Sequence, residues 1–460
     1  MKKWILSLVA MAFLAGCAHY QENPRLDAFN LAEGYRYRNL KSAEEDPENS
    51  ESLFVILTFS GGGTRAAALS FGVLEALRDT QIEWEGKSRR LLDEVDVISS
   101  VSGGSFTSAY YGLYGDEIFS KFPKVFLYKN IQKKLIMQLL NPVSWWKLAS
   151  PKYGRIDLAA EYYDKAIFKG NTFESLVKKK QRPYLLINAT DMSVGAQFIF
   201  TQNTFDLLCS NLSGVPLARA VAASSNFPVA FTPLTINNYD NGCGYASPAW
   251  VDLAMKDEVV NPPRKHRAYL HNSYLLQGRD GKKQRPFLHL LDGGVSDNIG
   301  MRGPLRAILS NDPQWSILNK INNGVIKKLV VITVDARTRP DVSYDRKASP
   351  PWLFTVLSTM ATIPLDNFTL DSLSMLQTEF ENREQMGRIF KRLNVAIPQV
   401  DFFNVYVGFS RVDDGGLRET LWNYPTSFSL TRKQVNILRT VGGNVLRSDG
   451  SFKSLLEDLK

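Results

Sequence analysis

The sequence predicts an α/β protein with a mainly parallel central sheet flanked by helices. Short apolar runs of strand length alternate along the chain with stretches of helical pattern. Two of the runs end near glycine-rich turns, at residues 61–63 and 103–104, that lead straight into helical stretches. This alternation is typical of βαβ units, which bury a parallel sheet between helices. With 44% hydrophobic residues in a chain of 460, there is ample apolar material for such a core.

The individual elements follow from these runs in chain order. Strands are predicted at 53–59, 95–99, 184–189, 287–291 and 329–335, with further strands at 197–201 and 402–409. Helices are predicted from about 66 to 78 and from 103 to about 114. Residues 242–286 are rich in proline, glycine and charge and are predicted to form a long loop. Apolar residues at near-helical spacing in 352–376 are predicted to pack in the core.

Residues 1–16 have the features of a signal peptide. Lys2 and Lys3 precede an apolar stretch from 4 to 14 that is too short to span a bilayer. The next four residues, Leu-Ala-Gly-Cys, resemble the bacterial lipobox, which implies cleavage before Cys17 and acylation of that cysteine. The alternative is an ordinary secretory signal with an incidental cysteine. Ala18 stands where an inner-membrane retention signal would have Asp, so the resemblance implies an outer-membrane lipoprotein that faces the periplasm.

The remaining chain divides into a tether and a folded part. Residues 17–52 are mostly polar and are predicted to tether the lipid to a single domain over 53–460. The formal net charge of +9 suits an anionic partner, and export favours anionic lipid over nucleic acid. Cys209 and Cys243 would lie in an oxidising compartment, either joined in a disulfide or as two buried thiols.

The first candidate site is the glycine-rich turn Gly61-Gly62-Gly63, which is followed by Thr64 and Arg65. Glycines between a strand and a helix let backbone N–H groups face a bound anion, and the helix N-terminus adds positive potential. The same residues also fit the dinucleotide-binding pattern G-x-G-x-x-A, with an acidic residue about twenty positions on. A plain glycine-rich turn without a ligand is the third interpretation.

The second candidate site is Ser102, in the sequence Ser-Val-Ser-Gly-Gly over 100–104. This is the nucleophile elbow pattern G-x-S-x-G with Ser100 in place of the first glycine. The sharp strand-to-helix turn exposes the hydroxyl at the edge of the sheet, and the small residues Gly103 and Gly104 let strand and helix approach closely. A serine–glycine turn with no chemical role is the alternative.

The third candidate site is Asp292-Gly293-Gly294, directly after a predicted strand. An Asp in this position can reach a neighbouring strand end, although Asp is also common in tight turns. No histidine follows Asp292, so the hydrolase order Ser–Asp–His cannot use that Asp. A base for Ser102 must therefore be a carboxylate, a lysine, or a histidine within 266–289.

Together the three sites resemble the patatin-like phospholipase family in order and spacing. A fourth block agrees with that resemblance: residues 222–233, A-A-S-S-N-F-P-V-A-F-T-P, are similar to the family segment A-S-x-x-x-P-x-x-F-x-P. The matching motifs cover about residues 53–300, and 301–460 carry no motif that we assign. The resemblance implies the patatin-like three-layer α/β fold.

The resemblance also implies the role of each site residue. Ser102 matches the nucleophile and Asp292 its general base in a Ser–Asp dyad. Gly61, Gly62 and Gly63 match the oxyanion loop, Arg65 matches the basic residue that ends it, and Gly103, Gly104, Gly293 and Gly294 support the two turns. The family chemistry needs no metal or other cofactor, and we expect none here. The implied activity is hydrolysis of lipid acyl esters, above all those of phospholipids, through an acyl-enzyme. The alternatives are a non-catalytic lipid- or protein-binding lipoprotein and a dinucleotide-dependent enzyme.

One further segment stands out by its charge. The stretch from Lys121 to Arg155 has eight basic residues and no acidic ones, interleaved with Phe, Tyr and a Trp145-Trp146 pair. Basic residues with paired tryptophans suit an interfacial contact with membrane lipids. The alternative is a solvated basic surface whose aromatic residues pack inward.

Overall fold

A computed structural model describes residues 19–42, 48–228, 230–256, 262–309, 317–339, 343–346, 348–392 and 398–460. The signal segment 1–16 and the proposed lipid-bearing Cys17 lie outside these residues. Within the described ranges, no helix combines the length and the apolar character that crossing a bilayer requires.

The described residues form one large sheet and a separate two-stranded ribbon. The strands are β1 Leu53–Phe59, β2 Gln81–Trp84, β3 Lys87–Arg90, β4 Val95–Val101, β5 Tyr184–Asp191, β6 Ala196–Ile199, β7 Leu234–Asn237, β8 Phe287–Asp292, β9 Lys328–Asp335 and β10 Asp401–Gly408. The large sheet has the order β10-β9-β1-β4-β5-β8-β7, and β6 pairs with β5. Strands β10, β9, β1, β4 and β5 are parallel, whereas β6, β7 and β8 add antiparallel pairs. The predicted mainly parallel α/β fold is confirmed.

Helices connect the strands and cover the sheet. They are α1 Gly63–Arg78, α2 Gly103–Tyr114, α3 Glu117–Phe122, α4 Ile131–Leu139, α5 Pro142–Leu148, α6 Arg155–Tyr163, α7 Phe173–Lys179, α8 Gln202–Asp206, α9 Leu217–Ser224, α10 Ala249–Lys256, α11 Pro262–Leu275, α12 Gly294–Asp297, α13 Arg302–Leu309, α14 Ile317–Asn322, α15 Leu353–Arg392, α16 Gly415–Trp422, α17 Arg432–Ser448 and α18 Gly450–Asp458. Short 3₁₀ or π turns fill several connections. The chain moves across the sheet in one direction from β1 to β4 to β5 and in the opposite direction from β9 to β10. Because crossovers between parallel strands are right-handed, α1 and α2 lie on one face of the sheet and α15 lies on the other.

The C-terminal part of the chain belongs to the same sheet as the motif-bearing part. Strand β9 lies between β1 and β10, and Phe59 at the end of β1 pairs with Val334. On one face of β10, the ring of Phe402 lies 4.8 Å from that of Phe380 in α15. The last two helices, α17 and α18, contact β10 as well. Residues 301–460 therefore complete the fold that the motifs begin.

Helix α17 packs directly on α1 through glycines. A Cβ at Gly72 would lie 2.1 Å from the carbonyl oxygen of Arg439, and a Cβ at Gly442 would lie 2.5 Å from that of Leu69. Real Cβ atoms do not approach backbone oxygens so closely, so both positions require glycine. This close approach connects the C-terminal part to the helix that begins at the glycine-rich turn.

The predicted polar tether is docked on the domain over residues 19–42, which we call the N-terminal strap. Arg36 is only 2% exposed, and its guanidinium forms an ion pair with Asp206 at 2.6 Å. Tyr35 stacks on Tyr184 with ring centroids 4.8 Å apart. A buried ion pair and stacked aromatic rings fix the strap on the domain. Counting polar residues missed these contacts because one paired arginine and a few aromatic rings are enough to dock a polar segment.

One correction concerns residues 242–286, which are not a simple loop. They contain helices α10 and α11, because proline and charge at the ends of a helix do not prevent it from forming. The structure also resolves the question left open for the cysteines: Cys209 and Cys243 form a disulfide. Its two ends hold the strap, since Cys209 accepts a backbone hydrogen bond from Leu26 and Cys243 accepts one from Phe29.

The α1–α17 contact can be tested with Gly72→Ala. An added methyl group would force the two helix backbones apart, so we expect the free energy of unfolding to fall by about 1–3 kcal/mol. The control is Gly450→Ala in α18, where a Cβ meets nothing within 4 Å. That variant should be as stable as the wild type or slightly more stable. Chemical denaturation measures both variants, and a Gly72→Ala protein of wild-type stability would contradict the packing described.

Candidate active site

Three strand ends bring the predicted site residues together. Strands β1 and β4 run side by side with Phe59 paired to Ser100, so the glycine-rich turn and Ser102 leave the sheet at the same edge. Strand β5 continues past β4, and Ala189 pairs with Asp292 of β8. Residues that are 41 and 190 positions apart in sequence, Gly61–Ser102 and Ser102–Asp292, thereby meet at one place. Ligands bind at such carboxyl edges in open α/β sheets.

Ser102 occupies a strained turn between β4 and α2. Its backbone has φ 49° and ψ −117°, a conformation that non-glycine residues rarely adopt. The turn brings the chain so close to the glycine-rich turn that a Cβ at Gly103 would lie 2.0 Å from the carbonyl oxygen of Gly63. A Cβ at Gly104 would lie 2.7 Å from the Cβ of Phe59 and 2.8 Å from the carbonyl oxygen of Ser60. This geometry is that of a nucleophile elbow, in which backbone strain presents the serine side chain.

The departure from G-x-S-x-G at Ser100 has a local explanation. Ser100 is fully buried, and its hydroxyl lies 2.6 Å from the hydroxyl of Ser108 in α2. The extra side chain therefore has a hydrogen-bond partner in the helix that follows the elbow. A serine fits here without disturbing the turn.

The glycine-rich turn lies directly against Ser102. A Cβ at Gly61 would come within 3.3 Å of the Ser102 Cβ and within 2.5 Å of the side-chain oxygen of Asn298. Gly62 and Gly63 have φ of 137° and 60°, which L side chains rarely adopt. Helix α1 begins at Gly63, and the first N–H groups of a helix have no acceptor within it. These groups can stabilise negative charge that develops beside Ser102.

The Asp292 carboxyl lies beside the Ser102 hydroxyl, close enough for that hydroxyl to act on its pKa as a hydrogen-bond donor. The Asp292 side chain is nearly buried, at 7% exposure, and also accepts a hydrogen bond of 2.8 Å from the N–H of Gly294. Burial raises the pKa of the Asp292 carboxyl to about 7, although both hydrogen bonds favour the ionised form. A carboxylate with such a pKa is suited to accept a proton near neutral pH. Gly293 is needed because a Cβ there would lie 2.2 Å from the carbonyl oxygen of Asn188.

The block 222–233 holds the two halves of this pair in place, a role that the motif match did not reveal. The Ser224 hydroxyl accepts a hydrogen bond of 2.9 Å from the N–H of Ser102, and the Ser224 carbonyl accepts one from Gly293 at 3.1 Å. The carbonyl of Asn226 accepts a hydrogen bond of 2.9 Å from the N–H of Asp292. Ser224 and Asn226 are therefore positioning residues. The only signal in the sequence was the similarity of this block to the family segment A-S-x-x-x-P-x-x-F-x-P.

Arg65 does not face Ser102 with its guanidinium. Its three nitrogens donate to the carbonyl oxygens of Ala336 and Tyr424 and to the hydroxyl of Thr426, at 2.6–2.9 Å. Burial lowers the pKa of the Arg65 guanidinium to about 10, while the nearby Asp335 opposes that shift. The predicted assignment of Arg65 to the oxyanion site is therefore corrected: its side chain connects the start of α1 to the C-terminal part of the chain.

The glycine-rich turn also contacts residue 427, which sequence analysis did not single out. The N–H of Thr64 donates to the carbonyl of Ser427 at 2.9 Å, and a Cβ at Gly63 would lie 2.4 Å from that same oxygen. One of the helix donors that a pyrophosphate would need is thus already used within the protein. This contact disfavours the dinucleotide interpretation.

The histidines of the 266–289 segment have partners away from Ser102. His289 lies 3.2 Å from the Thr235 hydroxyl, within the β7–β8 pair. His271 contacts the Tyr245 hydroxyl at 2.9 Å, and the ring of His266 stacks on Tyr269. Of the bases left open by the sequence, the carboxylate of Asp292 is the one in contact with the Ser102 hydroxyl among the described residues.

Comparisons with known proteins give one family match and several similar solved structures. The family model for the patatin-like phospholipase domain matches residues 57–305, more than half of the chain. Comparison with curated protein sequences finds no match. Among solved structures, human GIVD cytosolic phospholipase A2 is similar at 12% identity and a TM-score of 0.41, over 89% of this chain and 60% of that one. VipD from Legionella pneumophila is similar at 12% identity and a TM-score of 0.30, over 89% of this chain and 67% of that one. This chain thus spans about 60% of the length of the human phospholipase chain.

The raised pKa of Asp292 makes a prediction about stability. The folded protein binds the Asp292 proton more tightly than the unfolded chain does, so the stability that this group contributes is lost as pH rises from about 4 to about 7. Asn keeps the oxygen that accepts from Gly294 but carries no buried charge. We expect Asp292→Asn to raise the free energy of unfolding at pH 8 by up to about 4 kcal/mol.

Urea denaturation at several pH values measures this effect. The gain in stability should shrink as the pH is lowered and vanish below about 4, where the wild-type carboxyl is protonated in both states. A gain that did not change with pH, or a variant less stable than the wild type at pH 8, would show that the carboxylate carries no burial penalty.

Proposed function

This chain belongs to the patatin-like phospholipase family, and we propose that it hydrolyses the acyl esters of membrane phospholipids with Ser102 as nucleophile and Asp292 as general base. Family membership makes it a lipid esterase. The matched residues, 57–305, include the glycine-rich turn, the elbow and the Asp-Gly-Gly turn. The observation that carries the assignment of roles is the place of the Ser102 hydroxyl, on a strained turn, beside the buried Asp292 carboxyl.

Acylation would follow directly from this contact. As the Ser102 oxygen bonds to the ester carbonyl carbon, its proton passes to Asp292, and the carbonyl electron pair becomes an oxyanion. N–H groups at the start of α1, around Gly62 and Gly63, would stabilise that oxyanion. When the intermediate collapses, the ester C–O bond breaks, and the proton moves from Asp292 to the leaving alcohol.

Deacylation would use the same base, with water as the nucleophile and the Ser102 oxygen as the leaving group. Water attacks the acyl-enzyme carbonyl while Asp292 takes a proton from it. Collapse of the second intermediate returns the proton to the Ser102 oxygen and releases the fatty acid. A single carboxylate can serve both steps because its raised pKa leaves it able to accept and to return a proton near pH 7.

We further propose that the protein is an outer-membrane lipoprotein, acylated at Cys17 and facing the periplasm. The lipobox-like sequence before Cys17 and the absence of Asp at residue 18 support this location. The disulfide between Cys209 and Cys243 is also typical of exported proteins, because the cytosol keeps thiols reduced. A lipid anchor would place the enzyme where its substrate is.

The catalytic roles are tested with two variants and a covalent probe. Ser102→Ala and Asp292→Asn should each lower the hydrolysis of a phospholipid by about 10⁴-fold or more, because the pair acts as a unit. A fluorophosphonate should label the wild type but not Ser102→Ala. The matched control is Asp297→Asn, a buried carboxylate of the same turn that accepts from the N–H of Arg302 at 2.7 Å; it should lose less than about tenfold.

The alternative functions give different results in the same assay. A non-catalytic lipid- or protein-binding lipoprotein would not be labelled by the fluorophosphonate at all. Near-normal turnover by a Ser102→Ala preparation free of other esterases would overturn the assignment of the nucleophile.

The anchor is tested separately with Cys17→Ser. We expect this variant to lose labelling by radioactive palmitate and to leave the membrane fraction, since stable anchoring depends on the acyl chains. Labelling that persists in Cys17→Ser would contradict the lipoprotein assignment without affecting the catalytic one.

A further inference from the structure

We infer that helices α4 and α5, residues 131–148, dock on an anionic bilayer and set the opening of the Ser102 site against it. We call these residues the basic helix pair. The inference rests on the proposed function and names the surface through which the enzyme reaches its substrate. The occupant to which we commit is the bilayer that would hold the acyl chains of Cys17.

The basic helix pair exposes apolar side chains that the fold does not bury. Helix α4 turns Ile131 and Leu135 toward the core, and its remaining residues are half-buried or exposed. Six large apolar residues within eleven positions are 38–67% exposed: Ile136, Met137, Leu140, Val143, Trp145 and Trp146. Scattered single apolar residues on a surface are ordinary, but a contiguous group marks an interaction site.

The charges around this apolar group favour a lipid surface. The stretch 121–155 has eight basic residues and no acidic ones. Lys133 and Lys134 are exposed on α4. Lys147 forms an ion pair of 2.7 Å with Glu161 of α6, and Lys121 forms one of 2.6 Å with Glu117, so these two lysines contribute less than Lys133 and Lys134. Lysines beside exposed apolar and tryptophan side chains are the pattern of interfacial binding to anionic head groups.

The tryptophans suit the head-group level. The indole N–H of Trp145 donates to the carbonyl of Leu139 at 2.7 Å, although 57% of the residue is exposed. Its polar group is thus satisfied inside the helix pair. The ring can enter the acyl boundary without carrying an unpaired donor with it.

The first end of the basic helix pair lies beside the glycine-rich turn. The N–H groups of Ile131 and Gln132 donate to the carbonyl of Phe428 at 3.0 and 3.2 Å. The preceding residue, Ser427, accepts the N–H of Thr64 and lies against Gly63. The start of α4 and the glycine-rich turn therefore contact two adjacent residues, Phe428 and Ser427, and lie close together in space.

The second end lies beside the Asp292 turn. A Cβ at Gly154, six residues after α5, would lie 2.1 Å from the Thr232 hydroxyl oxygen. The Thr232 carbonyl accepts a hydrogen bond of 2.8 Å from the Asn226 side chain, and Asn226 accepts the N–H of Asp292. The basic helix pair is therefore held at both ends by the segments that build the site. Both ends of the pair thus lie next to segments that contact the glycine-rich turn and Asp292.

The N-terminal strap places the proposed lipid anchor at Cys17 near the end of α5. The N–H of Tyr20 donates to the carbonyl of Lys152 at 2.8 Å, close to the end of α5. Cys17 is three residues before Tyr20, and three residues reach at most about 11 Å. Acyl chains on Cys17 would therefore hold the basic helix pair at the bilayer. The anchored enzyme would meet lipids of its own membrane.

The test measures binding to vesicles by the full chain carrying Cys17→Ser and Ser102→Ala, so that neither acylation nor hydrolysis contributes. The vesicles are phosphatidylcholine alone or an equal mixture with phosphatidylglycerol. One variant replaces exposed apolar residues, Met137→Ser/Leu140→Ser/Val143→Ser, and a second reverses charge, Lys133→Glu/Lys134→Glu. Each should lower the partition coefficient on anionic vesicles by about tenfold or more.

The matched control is Met386→Ser/Ile389→Ser in α15, which removes apolar side chains of similar exposure, 48% and 47%. Met386 lies near Asp401, where β10 begins, at the edge of the sheet opposite to Ser102. This control should bind anionic vesicles within about twofold of the parent. Binding of the parent should also weaken in about 0.5 M salt, because screening shortens the reach of the lysine charges.

Two results would overturn the inference. Either both variants of the basic helix pair bind anionic vesicles as the control does, or the parent binds phosphatidylcholine equally well with no effect of salt or of charge reversal. The charge-reversal variant changes only exposed side chains, so a loss of folding in the apolar variant would not remove the test. Because binding is measured in a Ser102→Ala background, failure of the hydrolase assignment leaves this result unchanged and is seen separately as absence of fluorophosphonate labelling in the wild type.

Discussion

The close approach of three backbone turns is the constraint on which the rest of the structure depends. The glycine-rich turn, the elbow and the Asp-Gly-Gly turn come so near one another that Gly61, Gly103 and Gly293 have no room for a side chain. Only this approach lets a serine on one strand end meet a carboxylate on another without a histidine between them. The same approach excludes water from Asp292, and that burial raises its pKa toward neutrality. The close approach of the three turns therefore accounts both for the lack of room at these glycines and for the raised pKa of Asp292.

The C-terminal part of the chain serves this constraint from outside the family motifs. Strand β9 pairs along the whole of β1, and α17 packs on α1 through Gly72 and Gly442. Arg65 and Thr64 extend that support to the start of α1 by binding to residues 336 and 424–427. The position of the glycine-rich turn relative to Ser102 therefore depends on chain segments more than 270 residues away.

The sequence was sufficient to predict those features whose residue pattern is compatible with a single local structure. Apolar runs ending in glycine-rich turns predicted the parallel strands and the place of Ser102 beside the glycine-rich turn at one sheet edge. They did not predict that β8 runs antiparallel to β5, and Asp292 reaches Ser102 because β8 pairs with only the last three residues of β5. Side-chain partners had no such pattern. Arg65 is grouped with the oxyanion loop by its position in a motif, and the acceptors of its guanidinium lie in a part of the chain without motifs. The strap was read as a tether because its polar composition conceals the ion pair of Arg36 with Asp206.

The pH dependence of the reaction at Ser102 tests the central claim most directly. The second-order rate constant for labelling of Ser102 by a small fluorophosphonate would be measured from pH 5 to pH 9 in the wild type and in Asp292→Asn. If Asp292 is the base, the wild-type rate should rise about tenfold per pH unit and level off above pH 7, where the carboxyl is ionised. The Asp292→Asn rate should be far lower at every pH. A wild-type rate independent of pH, or an Asp292→Asn protein labelled as fast as the wild type, would contradict the dyad.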